Sequence, residues 1–264
     1  MTSIGLATST PFTDDPALVA DEARHAEHLG YATLWRSGNL PMVPVAVRAT
    51  STITVATGII PVVRVPAAEV IAVHTGLEDT NPGRFVVGLG GAHGPHPIAT
   101  LNAYLDELDA VGIDNRVLAA LGPNMLSLAR DRARGAYPFL VTPSYVADAR
   151  SVVGADRTLA VLLMVIPVTD RETARGAAAG PLEFLTAQGG YRRNLLRQGF
   201  TTADIDTVSD RLLDGIAAWG APGRIAERIA QYQAAGADQV VLRILGVDDL
   251  AAWRTRLAQI LIDQ

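Results

Sequence analysis

The stretch RFVVGLGGAHGPHP, Arg84 to Pro97, runs a short apolar segment into four glycines and two histidines, and its spacing decides between two α/β architectures. A dinucleotide-binding turn in an open, doubly wound sheet needs G-x-G-x-x-G at the exit of an early strand, with an acid ending the next strand to hold a ribose. Here Gly88, Gly90 and Gly91 are followed by Ala92 and then His93, so the sixth position fails. The segment is also the fourth apolar run of the chain, and no acid closes the run after it. Glycines so placed permit close backbone approach, either to a flat ligand or to a crowded neighbouring strand.

Working outward, eight short, β-branched runs read as strands: Ser3 to Ala7, Ala32 to Arg36, Thr54 to Ile60, Phe85 to Leu89, Arg116 to Leu121, Ala136 to Val141, Thr158 to Val168 and Gln239 to Leu245. Stretches of helical period separate most of them, as in parallel strands joined by crossover helices. Pro16 to Leu29 shows the expected asymmetry, with proline just inside its start and Gly30 just past its end. Between the last two strands the chain spends about seventy residues, Thr169 to Asp238, on several helices. Eight such units in 264 residues predict an α/β fold, a (β/α)8 TIM barrel over residues 1–264 as one domain, with a helical insertion at about 169–238. The active site of such a barrel is expected where the strands end.

Composition narrows the function. Lys and Arg number 22 against 27 acids, the net charge is −5, and no basic stripe offers a nucleic-acid surface. No apolar run approaches the roughly 20 residues of a membrane span, and no signal peptide is legible, so a cytoplasmic protein without membrane or nucleic-acid partners is expected. The absence of cysteine removes thiolate nucleophiles and cysteine metal sites and suits a reducing compartment.

Several loops carry candidate chemistry. His93 and His96 lack a third ligand nearby, so they read as polar lining rather than a metal site, with His93 retained as a proton donor or substrate partner. Gly58, inside TVATGII, reads as a bulge at the rim. Gly122 before Pro123, and Thr142-Pro143-Ser144, each start a helix after a strand; both suit an anion, and both also suit a plain helix start. LARDRARG, with Arg130, Arg132 and Arg134, reads either as a contact for an acidic tail or as a solvated helix end.

In their order and spacing, LGYATLW, ATGIIPVVRVP, GRFVVGLGGAHGP, VLAALGPNMLSLA, PFLVTPSYVADARSVVG, YRRNLLRQGF and AGADQVVLRIL resemble the luciferase-like flavin and coenzyme F420-dependent oxidoreductases, and within them an actinobacterial branch. The resemblance spans nearly the whole chain. It implies coenzyme F420, or alternatively FMN as in related monooxygenases and reductases, cradled at the strand ends with a small-molecule substrate over one face, and it allows a homodimer. It further implies a non-prolyl cis peptide at Gly58 and Ile59 against the coenzyme ring. Gly90, Ala119, Ala120, Leu121 and Gly122 would approach the ring and its side chain, and Val141, Thr142 and Ser144 the phosphate. Asn39 stands where deazaflavin-dependent relatives carry a histidine; an amide hydrogen-bonds but cannot trade a proton, so Asn39 and His93 are the catalytic candidates. The loss of the usual acid and histidine leaves a cofactor-free barrel, catalytic or binding, as the alternative.

Overall fold

The strand Thr158–Ile166 is apolar almost throughout, and its side chains divide by parity between two cores. Leu159, Val161, Leu163 and Val165 pack outward against helices, whereas Ala160, Leu162, Met164 and Ile166 pack inward. A strand buried on both faces belongs in a helix-covered parallel sheet, and the computed structural model, which describes residues 3–8, 13–37, 39–92 and 95–262, closes that sheet into a barrel.

In chain order the elements are β1 (Ser3–Ala7), α1 (Pro16–His28), β2 (Thr33–Arg36), a 3-10 turn (Leu40–Met42), α2 (Val43–Arg48), β3 (Thr54–Thr57), β4 (Ile60–Pro61) and α3 (Ala67–Glu78). Then follow β5 (Phe85–Gly90), α4 (Pro97–Asp109), β6 (Arg116–Leu118), α5 (Pro123–Arg132), β7 (Gly135–Ala136), α6 (Pro143–Val153) and β8 (Thr158–Ile166). The segment between the last two barrel strands holds α7 (Arg171–Thr186), α8 (Gly189–Arg197), α9 (Thr202–Thr207), α10 (Asp210–Ile216), β9 (Ala217–Trp219) and α11 (Pro222–Ala234), before β10 (Gln239–Ile244) and α12 (Leu250–Leu261). The parallel order β10-β1-β2-β3-β5-β6-β7-β8 closes through β8 and β10, in register from Ala160 opposite Gln239 to Val165 opposite Ile244. That is an eight-stranded (β/α)8 barrel.

Several elements depart from their sequence reading, the fifth strand ending at Leu118 and the seventh at Ile166 among them. The third breaks at Gly58–Ile59, whose peptide bond is cis, and resumes as β4 beside β5. The sixth, read as Ala136 to Val141, pairs only over Gly135–Ala136 and through a single bridge from Phe139 to Leu162, because Pro138 has no N–H to give and Leu140, at φ 57°, turns the chain. The short β9, against the end of β8, lies in a stretch read as helical.

Gly88 serves the barrel wall. A Cβ there would stand 1.7 Å from the Thr57 carbonyl oxygen, which fills that space, and Thr57 Oγ1 accepts from Gly88 N at 2.8 Å and donates to Gly88 O at 3.0 Å. Among the described residues no helix is long and apolar enough to cross a membrane.

Candidate active site

Inward-facing positions build the barrel interior from its floor upward. At the start of β10, Gln239 accepts a hydrogen bond from Trp35 Nε1 at 2.8 Å and donates to Ser3 Oγ at 2.9 Å and Thr33 Oγ1 at 3.0 Å. The Trp35 ring stacks on Tyr137, with centroids 3.9 Å apart and planes 6° from parallel. Both rings are buried, so the middle of the barrel is packed by two aromatic planes over a closed polar floor.

One turn of the pleat pattern higher, Arg243 shares the parity of Gln239 and Val241 and points into the barrel at the C-terminal end of β10. The titratable groups whose fields reach it are Tyr137 and Tyr191. Burial lowers the pKa of the guanidinium, against the pull of those two phenols, and burial raises both phenols. Among the described residues Arg243 makes no hydrogen bond, ion pair or cation–ring contact. Tyr191 comes from α8 and meets Phe139 edge-on, centroids 6.5 Å apart at 86°, so the segment after β8 contributes a wall of the mouth. Sequence reasoning missed Arg243, Tyr137 and Trp35, whereas YRRN, which begins at Tyr191, was expected to form part of the wall of the insertion. The one available signal was a lone charge in QVVLRIL at the same parity as Gln239.

The residues expected to hold a coenzyme gather around this mouth unequally. At Gly58 a Cβ would lie 3.1 Å from Tyr137 Cε1, so the tyrosine ring covers that face of the cis peptide. At Gly90 a Cβ would lie 2.9 Å from Ala119 Cβ and 3.1 Å from Ile59 Cδ1. The side chains of Ala120 and Val141 pack in the outward core, and Leu121 packs against it. Their carbonyls are already engaged: Tyr145 Oη donates to Leu121 O at 2.8 Å and Ala120 O at 3.4 Å, and Tyr232 Oη donates to Val141 O at 2.6 Å.

The two helix starts differ. At α6, Thr142 Oγ1 caps Tyr145 N at 3.2 Å, while Gln198 Oε1 accepts from Thr142 N at 2.8 Å and Gln198 Nε2 donates to Leu140 O at 3.1 Å. That loop is latched, with Ser144 exposed beside it. At α5 the N-cap Gly122 has no capping side chain, and the Arg197 guanidinium lies over it, 3.3 and 3.4 Å from where a Cβ would stand. Arg197 bonds weakly to Asn194 Oδ1 at 3.4 Å and forms no ion pair among the described residues.

After β2, Asn39 donates its amide to the Asp14 carboxylate, tying two loops of the same barrel face together. His93 lies outside the described residues, and His96 is the exposed N-cap of α4. The arginine run resolves as structural: Arg132 pairs with Asp106 and Asp109 at 2.7 Å, Arg130 with Asp131 at 2.7 Å and Arg134 with Asp114 at 3.1 Å. Arg134 precedes β7, which puts this end of the run at the floor, opposite the mouth. A cavity of about 400 Å3 also opens on that face, lined by Thr54, His74, Glu78, Asp114 and Arg134. His74 itself packs on Phe85 with its centroid 6.0 Å away. Among the described residues no cluster of His, Asp and Glu could hold a metal ion.

The closed parallel barrel is shared with solved oxidoreductases. A coenzyme F420 dependent tetrahydromethanopterin reductase from Methanopyrus kandleri matches with a TM-score of 0.80 at 16% identity, over 99% of each chain. An F420-dependent secondary alcohol dehydrogenase, solved with an F420-acetone adduct, matches at 0.76 and 15%, over 99% of this chain and 98% of that one. The oxygenating constituent of 3,6-diketocamphane monooxygenase from Pseudomonas putida, solved with FMN, matches at 0.72 and 15%, over 99% and 97%. At these identities the likeness establishes the fold, which is that of the group the sequence motifs resemble. No protein-family model matches the sequence, and no curated protein matches it.

Proposed function

We propose that this chain is an oxidoreductase that binds a phosphorylated ring coenzyme, F420 or alternatively FMN, at the C-terminal mouth of the barrel and serves hydride transfer with a small organic substrate. The observation that carries the reading is the uncapped start of α5 at Gly122 beneath Arg197, a helix N-terminus and a guanidinium without a carboxylate converging on one point of the mouth. Together they fit a phosphoryl group, since the helix offers free N–H donors and the arginine a charged fork. Structures of the same fold bound to F420 and to FMN support the choice of coenzyme.

Such a coenzyme supplies the redox chemistry when bound. The chain's own residues do the rest: Arg197 and the α5 amides hold the phosphoryl end, α8 contributes a wall, and Trp35 closes the barrel beneath it. Asn39, steadied by Asp14, orients through hydrogen bonds, and His93 is assigned the proton. The ring end fits only when Tyr137 yields the face of Gly58, so Tyr137 is the side chain expected to move.

That covered face, with Gln198 already on Thr142 N, favours a second reading, a cofactor-free barrel that binds or transforms its ligand unaided. Titration with F420, FMN and riboflavin, followed by fluorescence quenching, separates the two. Micromolar binding of F420 or FMN is expected. Arg197→Met is expected to weaken FMN by roughly 10- to 100-fold, as for a lost charged hydrogen bond, and to leave riboflavin, which lacks the phosphate, unchanged. Silence from all three overturns the coenzyme reading in favour of the second.

A further inference from the structure

A barrel interior withdraws charge from water, and a guanidinium placed there needs acceptors. Elsewhere in this chain carboxylates and carbonyls meet most of that need, although Arg36 Nε is buried without a partner. Arg36 and Arg254, both buried, share the carboxylate of Glu22, and buried Arg116 bonds to Arg132 O at 2.9 Å and Ile113 O at 2.6 Å and also meets Asp109. Arg243 stands apart from them. It lies on the inner face at the mouth, with no acid, carbonyl or aromatic face engaging it among the described residues. The groups around it are two phenols, Tyr137 and Tyr191, and the Phe139 ring packed against Tyr191.

We infer that Arg243 is the recognition residue for an anionic substrate: it receives a planar carboxylate or enolate carried on a small, apolar body. Three features of the place lead there. A fork of N–H donors matches two coplanar oxygens and gives orientation as well as attraction. The aromatic surround accepts the apolar remainder, and a ligand seated against it would displace water from the half-buried guanidinium. The phenols add donors that a neutral or anionic oxygen accepts, whereas a cation is repelled. This deepens the proposed function, since it rests on the mouth being the substrate site and names the class of substrate.

The test uses benzoate and its neutral isostere benzamide on the purified chain, with binding read by ligand-observed NMR and by quenching of tryptophan fluorescence. Wild type is expected to prefer benzoate by roughly ten-fold or more, the scale of one charge-assisted pair. Arg243→Met is expected to erase that preference while its melting temperature holds or rises, because an apolar side chain of similar length removes a half-buried charge that no protein group pairs among the described residues. Arg243→Lys keeps the charge and is expected to keep the preference. Equal binding of the two probes by wild type, a preference that survives Arg243→Met, or a clear fall in that variant's melting temperature overturns the inference. Parallel titration with FMN and F420 keeps the two claims apart. An Arg243-dependent benzoate preference in a protein that binds neither coenzyme upholds this inference and removes the redox reading, and coenzyme binding without the preference does the reverse.

Discussion

Gln239 and Arg243 lie on one strand, four residues apart, and face the same interior. The first has both ends of its amide bonded, to Trp35, Ser3 and Thr33. The second, with more donors than any other side chain, has none of them engaged among the described residues. Gln239 is buried, where an unmet polar atom is costly, whereas Arg243 is half-buried at the mouth. The floor is therefore finished as architecture, whereas the mouth is left with donors that no protein group among the described residues uses and that a ligand can take.

The contrast breaks or sharpens under substitution. The largest effect is expected at the wall between floor and mouth: Gly88→Ala would drive a methyl into the Thr57 carbonyl, which is backbone and cannot swing away. A loss above about 4 kcal/mol, or failure to fold, is the expected result in chemical denaturation. A well-folded Gly88→Ala protein would mean that the wall between β3 and β5 yields more readily than a backbone clash of this depth allows. Next comes the floor, where Gln239→Leu strands Trp35 Nε1 and two hydroxyls and is expected to cost about 1–3 kcal/mol without altering binding at the mouth.

The smallest effect is outside the barrel. Glu27, despite the opposing effect of burial, accepts from the amides of Thr52, Ile53 and Ser51 and from the Thr52 hydroxyl, which holds its carboxyl at about 2 against an ordinary 4.5. A depressed folded pKa contributes stability that is full above 4.5 and fades as pH falls towards 2. Melting curves across that window should show the loss in wild type and a flatter profile in Glu27→Gln. An unchanged slope would detach this loop anchor from acid stability.

Much of this was legible in the sequence. Eight β-branched runs and the failed G-x-G-x-x-G spacing led to the barrel, because parity and punctuation are local properties. The site was less so. Whether Gly58 and Gly90 offer open backbone depends on Tyr137, Ala119 and Ile59, which reach them from other strands. Tyr137 takes its place through a chain turn at Leu140, where a positive φ in a leucine has no sequence signature. Arg197 was hidden in a helix-forming run of the segment after β8, and its position over Gly122 is purely tertiary. Arg243 was visible as a lone charge, but its lack of a partner is a property of every strand around it.

The difference between a finished floor and an open mouth is tested most directly by thermal melts of Gln239→Leu and Arg243→Met measured side by side at neutral pH. The expected result is a lowered midpoint for Gln239→Leu and an unchanged or raised one for Arg243→Met, since one substitution opens a satisfied network and the other relieves an unsatisfied charge. If Arg243→Met falls as far as Gln239→Leu, the arginine is holding the barrel together, and the mouth has no reserved cation to offer.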